Sequence, residues 1–216
     1  MFIVIDWIDS VGKATQLQLL KNHLENLGKK VKAISYPQYG EPSCMYVEKY
    51  LNGWYWKNVW AKQASLFYAL DRFDSLAQLQ KDLEEYDYVL SDRYVSANMI
   101  HQWWKISDLK EREDFLNWVY NLEYEILWLP KPDTILFLDV SVEVSQKLMD
   151  SRPDKDYIES ETQKDIHEAD ANHLENARKV ISQVVEMQEN FIRINCEWGG
   201  DILSREEILW KIIEKI

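Results

Sequence analysis

The stretch FIVIDWIDSVGKATQLQLL, residues 2–20, decides how the chain is read. Phe2–Ile5 is a short apolar run of the kind that fills a parallel sheet. Gly12-Lys13 closes the loop after it. From Thr15 to Leu27 apolar residues fall at 19, 20, 24 and 27, a helical spacing, and Gly28 suits the C-cap. Strand, tight loop and helix in this order can cradle a phosphate. Small loop residues let successive N–H groups face an anion, and the dipole of the following helix favours it. Lys13 would reach the β- and γ-phosphates of a nucleotide, and a hydroxyl directly after it would hold Mg²⁺. Here Ala14 follows Lys13, with Thr15 one place later, and Trp7 stands where such a loop usually opens with glycine. A bare Gly-Lys pair is more often an ordinary turn, so the rest of the chain has to decide.

Outward from that stretch, Val31–Ser35 reads as a second strand, and Pro37, Gly40 and Pro42 mark an ordered loop. Residues 60–84 read as one long helix. Tyr88-Val-Leu-Ser is a third strand ending at Asp92. Residues 107–127 read as helical, Ile135-Leu-Phe-Leu as a fourth strand and Val142–Met149 as a helix. Residues 151–164 are polar, 165–189 helical, Phe191–Ile194 a fifth strand and 204–215 a last helix. Strands alternating with helices predict an α/β fold, a five-stranded parallel sheet with helices on both faces, within one domain spanning residues 1–216. Ligands of such sheets bind beyond the carboxyl ends of the strands. Asp92 stands at such an end, where a carboxylate orients Mg²⁺ or its water shell, although Asp also favours helix N-caps. Arg72, Arg93 and Arg152 supply guanidinium forks suited to phosphate oxygens; any one of them alone reads as a surface ion pair.

Charge narrows the partners. With 37 acidic against 25 basic residues the net charge is −12, which argues against nucleic acid or an anionic membrane but leaves room for a local cluster that binds a small anion. Cys44 and Cys196 show no metal-ligand spacing and read as free thiols in a reducing cytoplasm. The apolar run at the N-terminus is too short for a signal peptide, and no later segment could span a membrane.

Five blocks, in order, resemble the thymidylate kinases, within the P-loop nucleoside monophosphate kinases. DWIDSVGKATQ is similar to the family's phosphate loop, YPQYGEPS to its Phe-Pro-Arg-Tyr loop, and LFYALDR to its substrate helix. SDRYVSANMIHQ resembles its Asp-Arg-Tyr segment, and LPKPDTILFLDV leads into a lid at about 151–164. The resemblance implies a P-loop NTPase-type three-layer fold and the reaction ATP + dTMP → ADP + dTDP with Mg²⁺. It implies that Ser10, Val11, Gly12, Lys13, Ala14 and Thr15 bind ATP, with Thr15 and Asp92 toward the metal. On the acceptor side it implies Asp9 at the sugar hydroxyl, Tyr36, Gln38 and Tyr39 from the second loop, and Tyr68 stacked on the base. Arg72 and Arg93 would meet the monophosphate, and Asn98 and Gln102 the base. Lys13, Asp9, Arg93 and Arg152 are the expected catalytic residues. Arg152 is expected to supply from the lid the arginine that Ser10-Val11 lacks, with Lys155 and Lys164 as substitutes. A homodimer is implied by the family alone. The alternatives are a kinase for another nucleoside monophosphate or a deoxynucleoside, and a non-catalytic nucleotide-binding relative.

Departures from the pattern include Gln38 for the loop arginine, Tyr157 in the lid, and His101, which reads as a packing or hydrogen-bonding residue. His167 and Asp170 share a helical face but His173 does not, so HEADANH reads as a solvated face and not a metal site. Trp7, Trp103, Trp104 and Trp128 stand where the family pattern places glycine. Glycine occurs 6 times and tryptophan 10 times, where average usage gives roughly 15 glycines. The hypothesis is that some of these codons are UGA, read as glycine in the source organism. UGG at all four positions in the gene ends it. If the tryptophans are genuine, Trp7 crowds the phosphate loop and weakens ATP binding.

Overall fold

A computed structural model describes residues 1–6, 13–55, 59–103, 105–141, 143–145, 147, 184 and 190–216. All five expected strands form: β1 (Phe2–Asp6), β2 (Val31–Ser35), β3 (Tyr88–Asp92), β4 (Thr134–Asp139) and β5 (Phe191–Asn195). They run parallel in the order β2-β3-β1-β4-β5. The central strands β1 and β4 are buried along their whole length, because helices cover both faces of a parallel sheet and no residue can point to water. The register pairs Ile5 with Asp92 and Ser35 with Asp92. The carboxyl ends of β1, β2 and β3 are therefore level, and the loops after them open on the same side.

Helix α1 (Lys13–Asn26) follows the first loop. It ends as expected at Gly28, whose φ of +79° is open to glycine and whose N–H donates to Glu25 O at 2.9 Å. After β2 come a 3₁₀ turn (Pro42–Cys44) and a short helix α2 (Met45–Leu51). The expected single helix over 60–84 is instead two, α3 (Ala61–Asp74) and α4 (Leu76–Glu85), broken at Ser75. The Ser75 hydroxyl donates to Arg72 O at 2.9 Å, taking an acceptor that a continuing helix would need. Its one proton is spent there, so Tyr36 OH, 2.7 Å away, donates to Ser75 Oγ.

Helix α5 (Val95–Trp103) is buried on every side. Helix α6 (Leu109–Tyr120) is capped by Asp108, which accepts from Lys110 N and Glu111 N. It runs on into a wider π-helical turn, Asn121–Ile126, so the expected helical stretch 107–127 holds with one change of pitch. Here Leu127 N donates to Leu122 O at 2.9 Å, five residues back. A two-stranded hairpin, β6 (Glu197–Trp198) and β7 (Asp201–Ile202), follows β5. Gly199 and Gly200 both have positive φ, as the tight hairpin turn requires. The last helix, Arg205–Ile213, starts with a Ser204/Glu207 capping box. The expected helix 142–149 is described at 143–145 and 147, where it is helical. The lid segment 151–164 and the expected helix 165–189, apart from helical Val184, lie outside the described residues.

Two of the four questioned tryptophans are described. Trp128 has φ of +55° and is 76% exposed. An indole gains no burial there, and the Cβ sits in the left-handed region at a cost of about 1–2 kcal/mol. Trp128→Gly is therefore expected to raise stability by about 1 kcal/mol, after glycine's own entropic cost is subtracted; urea midpoints of the two proteins check it. Trp103 differs. It is 3% exposed, in the core, with the Arg112 guanidinium 4.0 Å above its ring. Its Nε1 is buried without a hydrogen-bond partner among the described residues.

Candidate active site

Beyond the carboxyl ends of β2 and β3 lies a cavity that opens to solvent. The loop after β2 brings Tyr36, Pro37 and Tyr39 to it, the end of α2 brings Leu51, and α3 brings Tyr68 and Arg72 one turn apart. Arg93 comes from the β3–α5 turn. Helix α5 adds Ala97, Asn98, His101 and Gln102, whose spacing puts them on one face. The expected acceptor residues Tyr36, Tyr39, Tyr68, Arg72, Arg93, Asn98 and Gln102 thus meet in one place.

Arg93 sits in a strained conformation, φ +65°, uncommon for any residue with a side chain. Its backbone is tied at both ends. The N–H donates to Ile5 O at 3.0 Å, and its carbonyl accepts from Ser91 Oγ at 2.5 Å. The neighbouring strand, β1, thus fixes where Arg93 leaves the sheet. Non-glycine strain of this sort persists where surrounding contacts over-determine it, and it clusters at functional sites.

Arg72 is 2% exposed and forms a two-pronged pair with the fully buried Glu123, Nε to Oε2 at 2.6 Å and Nη2 to Oε1 at 2.7 Å. Nη1 also donates to Tyr94 O at 3.3 Å. Burial by itself would lower the pKa of Arg72; the charge and hydrogen bonds of Glu123 outweigh it and raise it. Arg72 therefore reaches the cavity with its charge already balanced and offers directed N–H groups. Burial likewise holds the Tyr36 phenol above its ordinary range.

Gln38 does not line the cavity. Its N–H donates to Asp71 Oδ2 at 2.9 Å and its Nε2 to Asp71 O at 3.0 Å, while Ser43 Oγ donates to Asp71 Oδ1 at 2.7 Å. Gln38 pins the loop to α3 instead. Gln16, next to Thr15, is also structural, donating to Arg205 O at 3.1 Å. Asp92 stands three residues before α5 begins, too far to be its N-cap. His101 lines the cavity and is buried. Asp9, Ser10, Val11, Gly12, Arg152 and residues 167–173 lie outside the described residues, as does the side chain of Lys13.

Two buried carboxylates escaped sequence reading. Asp6 ends a wholly apolar strand, which was a usable signal; fully buried, it accepts from Ser96 Oγ at 2.6 Å and so links β1 to the start of α5. Glu123 lies in NLEYEIL beside a second glutamate, and nothing in that pattern tells which one turns inward.

Cys44 and Cys196 are free and buried, and burial pushes both thiols up to about 12. Thiols held this high stay protonated at neutral pH. Among the described residues no cluster of three or more His, Cys, Asp or Glu could hold a metal, and no helix is long and apolar enough to cross a membrane. Among the described residues, the oxygen donors expected to meet Mg²⁺ are the half-buried hydroxyl-bearing Thr15 in the first turn of α1 and Asp92 at the end of β3. Both are oxygen ligands of the hard kind this ion takes, usually with several waters.

Comparison with known proteins agrees with this geometry. The thymidylate kinase family model matches residues 5–195. The thymidylate kinase of Mycobacterium tuberculosis is 30% identical over 160 residues, 72% of this chain and 73% of that one. A probable thymidylate kinase of Methanococcus aeolicus is 28% identical over 214 residues, 99% of this chain and 96% of its own. The solved thymidylate kinase of Candida albicans shares the fold, with a TM-score of 0.71 over 99% of this chain and 90% of that one, at 19% identity. On the family match and these relatives, the chain belongs to the thymidylate kinase family.

Proposed function

We infer that this chain transfers the γ-phosphoryl group of ATP to dTMP, giving ADP and dTDP. The observation that carries the reading is the meeting of Tyr36, Tyr68, Arg72, Arg93, Asn98 and Gln102 around one cavity beyond the strand ends. Tyr68 gives the base an aromatic face, and Asn98 and Gln102 give its edge polar partners. Arg93 supplies a positioned guanidinium for the acceptor phosphate. The donor binds at the loop before α1, whose N-terminus begins at Lys13 and whose dipole favours the β- and γ-phosphates. Ser10 to Thr15 form that cradle, and Asp9 holds the sugar hydroxyl. Thr15 and Asp92 hold Mg²⁺, which when bound neutralises charge on the donor phosphates. Lys13 and Arg93 stabilise the charge that spreads over the moving phosphoryl group, and Arg152 completes this from the lid. No covalent intermediate is needed; alignment of the two substrates does the work.

Coupled ADP release across dTMP, dUMP, UMP, CMP, AMP and thymidine tests the reading, with dTMP expected to be the preferred acceptor. Turnover of another acceptor in its place would move the substrate. Binding of dTMP without ADP release would make the chain a non-catalytic relative.

The working form we propose is a cytoplasmic homodimer. Leu66, Leu70 and Phe73 lie at i, i+4 and i+7 on α3 and are 41%, 50% and 46% exposed, an apolar stripe that a second copy would cover. Leu70→Glu puts a charge in the middle of that stripe. It is expected to halve the mass seen by light scattering; an unchanged mass removes α3 from the interface.

A further inference from the structure

One carboxylate organises two of the side chains that line the cavity. Glu123 Oε1 accepts from Arg72 Nη2 at 2.7 Å and also from Asn98 Nδ2 at 2.9 Å. The carbonyl of Ser65 takes the other proton of the same amide at 3.0 Å. Both donors of Asn98 are spent on acceptors within the protein. Its Oδ1 is left buried without a hydrogen-bond partner among the described residues, on a side chain that lines the cavity and is 3% exposed. Turning the amide over would set that oxygen against two acceptors, one of them charged. The orientation is therefore fixed before any ligand arrives. Beside it, Arg72 has spent Nε and one N–H on each terminal nitrogen, which leaves one N–H on each.

We propose that Glu123 is a positioning residue that sets base selectivity, holding Asn98 as an obligate acceptor next to Arg72 as an obligate donor; Arg72 then serves the base in place of the monophosphate contact expected of it, which is left to Arg93. A pyrimidine that suits this pair must present an N–H beside a carbonyl oxygen. Thymine and uracil do so at N3 and its flanking carbonyls. Cytosine presents a lone pair at N3 and an amino group next to it, the reverse at both positions. A methyl group on N3 of thymine removes the donor alone. The inference rests on the dTMP reading of this cavity and deepens it. The selective residue is one that does not line the cavity itself.

The test is calorimetric binding of dTMP, dCMP and N3-methyl-dTMP to the full chain, kept separate from turnover. Wild type is expected to favour dTMP over either analogue by at least about a hundredfold. Glu123→Gln keeps a single acceptor oxygen where three N–H groups converge and sets its own amide N–H against Arg72 or Asn98, so the hold on the pair loosens and the dTMP:dCMP ratio should narrow at least about tenfold while circular dichroism stays native. A merely structural role would weaken all three nucleotides alike and leave the ratio unmoved. If Glu123→Gln does not fold, Glu123→Asp keeps the charge that balances Arg72 but draws the carboxylate back from Asn98; its ratio should narrow in the same way. The proposal is overturned if a folded variant keeps the wild-type ratio within about twofold, or if wild type binds N3-methyl-dTMP as tightly as dTMP. Selective dTMP binding by wild type without ADP release defeats the kinase reading while supporting this one.

Discussion

Arg93→Gly is expected to give a protein that is more stable than wild type and close to inactive. The stability follows from the backbone. Arg93 holds φ of +65° because Ile5 O and Ser91 Oγ fix its two peptide groups. Strain of this kind is worth on the order of 1–3 kcal/mol, and glycine relieves it while losing part of the gain to its larger unfolded-state entropy, for a net of about 1 kcal/mol. The activity follows from the side chain. Removing one preorganised donor aimed at developing charge costs about 10²–10³ in rate, so kcat/KM for dTMP should fall by that factor with the KM for ATP little changed. Arg93→Ala should lose the same activity without the stability gain. Retention of activity within about fivefold in either variant would take Arg93 out of the site; a stability loss in Arg93→Gly would mean that its conformation is not strained.

Arg72→Met is the second large effect, and it falls first on the fold. Glu123 is fully buried, and the substitution strips away the guanidinium that meets both of its oxygens. Breaking a buried ion pair from one side costs about 3–5 kcal/mol, since the surviving charge keeps its desolvation penalty and loses its compensation. Chemical denaturation should show that loss for Arg72→Met. The double change Arg72→Met, Glu123→Met should recover most of it, because well-packed apolar side chains commonly replace such a pair at little cost. A single variant as stable as wild type would mean that water or a neighbour already satisfies Glu123.

How far the sequence could be read depended on the kind of signal. The five strands were visible because short runs such as FIVI and ILFL are apolar throughout, which only a sheet covered on both faces demands. The acceptor residues were legible as blocks resembling a family, and α3, α5 and the loop after β2 bring them together. The break at Ser75 was not legible. Leu76, Leu79 and Leu83 continue an apolar helical spacing across it, and the hydroxyl that ends α3 does so through Arg72 O and Tyr36, a contact over 39 residues that periodicity cannot contain. The tie of Gln38 to Asp71 was hidden for a similar reason, since tertiary packing supplies that partner. Trp128 was picked out by the family pattern as a glycine position, and its positive φ together with its exposure is what a glycine position looks like; Trp103, within α5, is packed into the core.

The π-helical turn at Asn121–Ile126 carries a consequence for how this protein can vary. A widened turn holds one residue more than an α-helical turn of the same span. Loss of a single codon at Asn121 or Leu122 would let α6 run on at regular pitch, and the side chains that now fill the wide turn would move round the axis by about 100° while those beyond it kept their register. Glu123 would swing away from Arg72 and Asn98, although neither of those helices had been touched. Point substitutions on the surface of α6 should be well tolerated, whereas a one-residue deletion at 121 or 122 should not. Length, more than composition, is what lineages of this chain have to conserve in that segment.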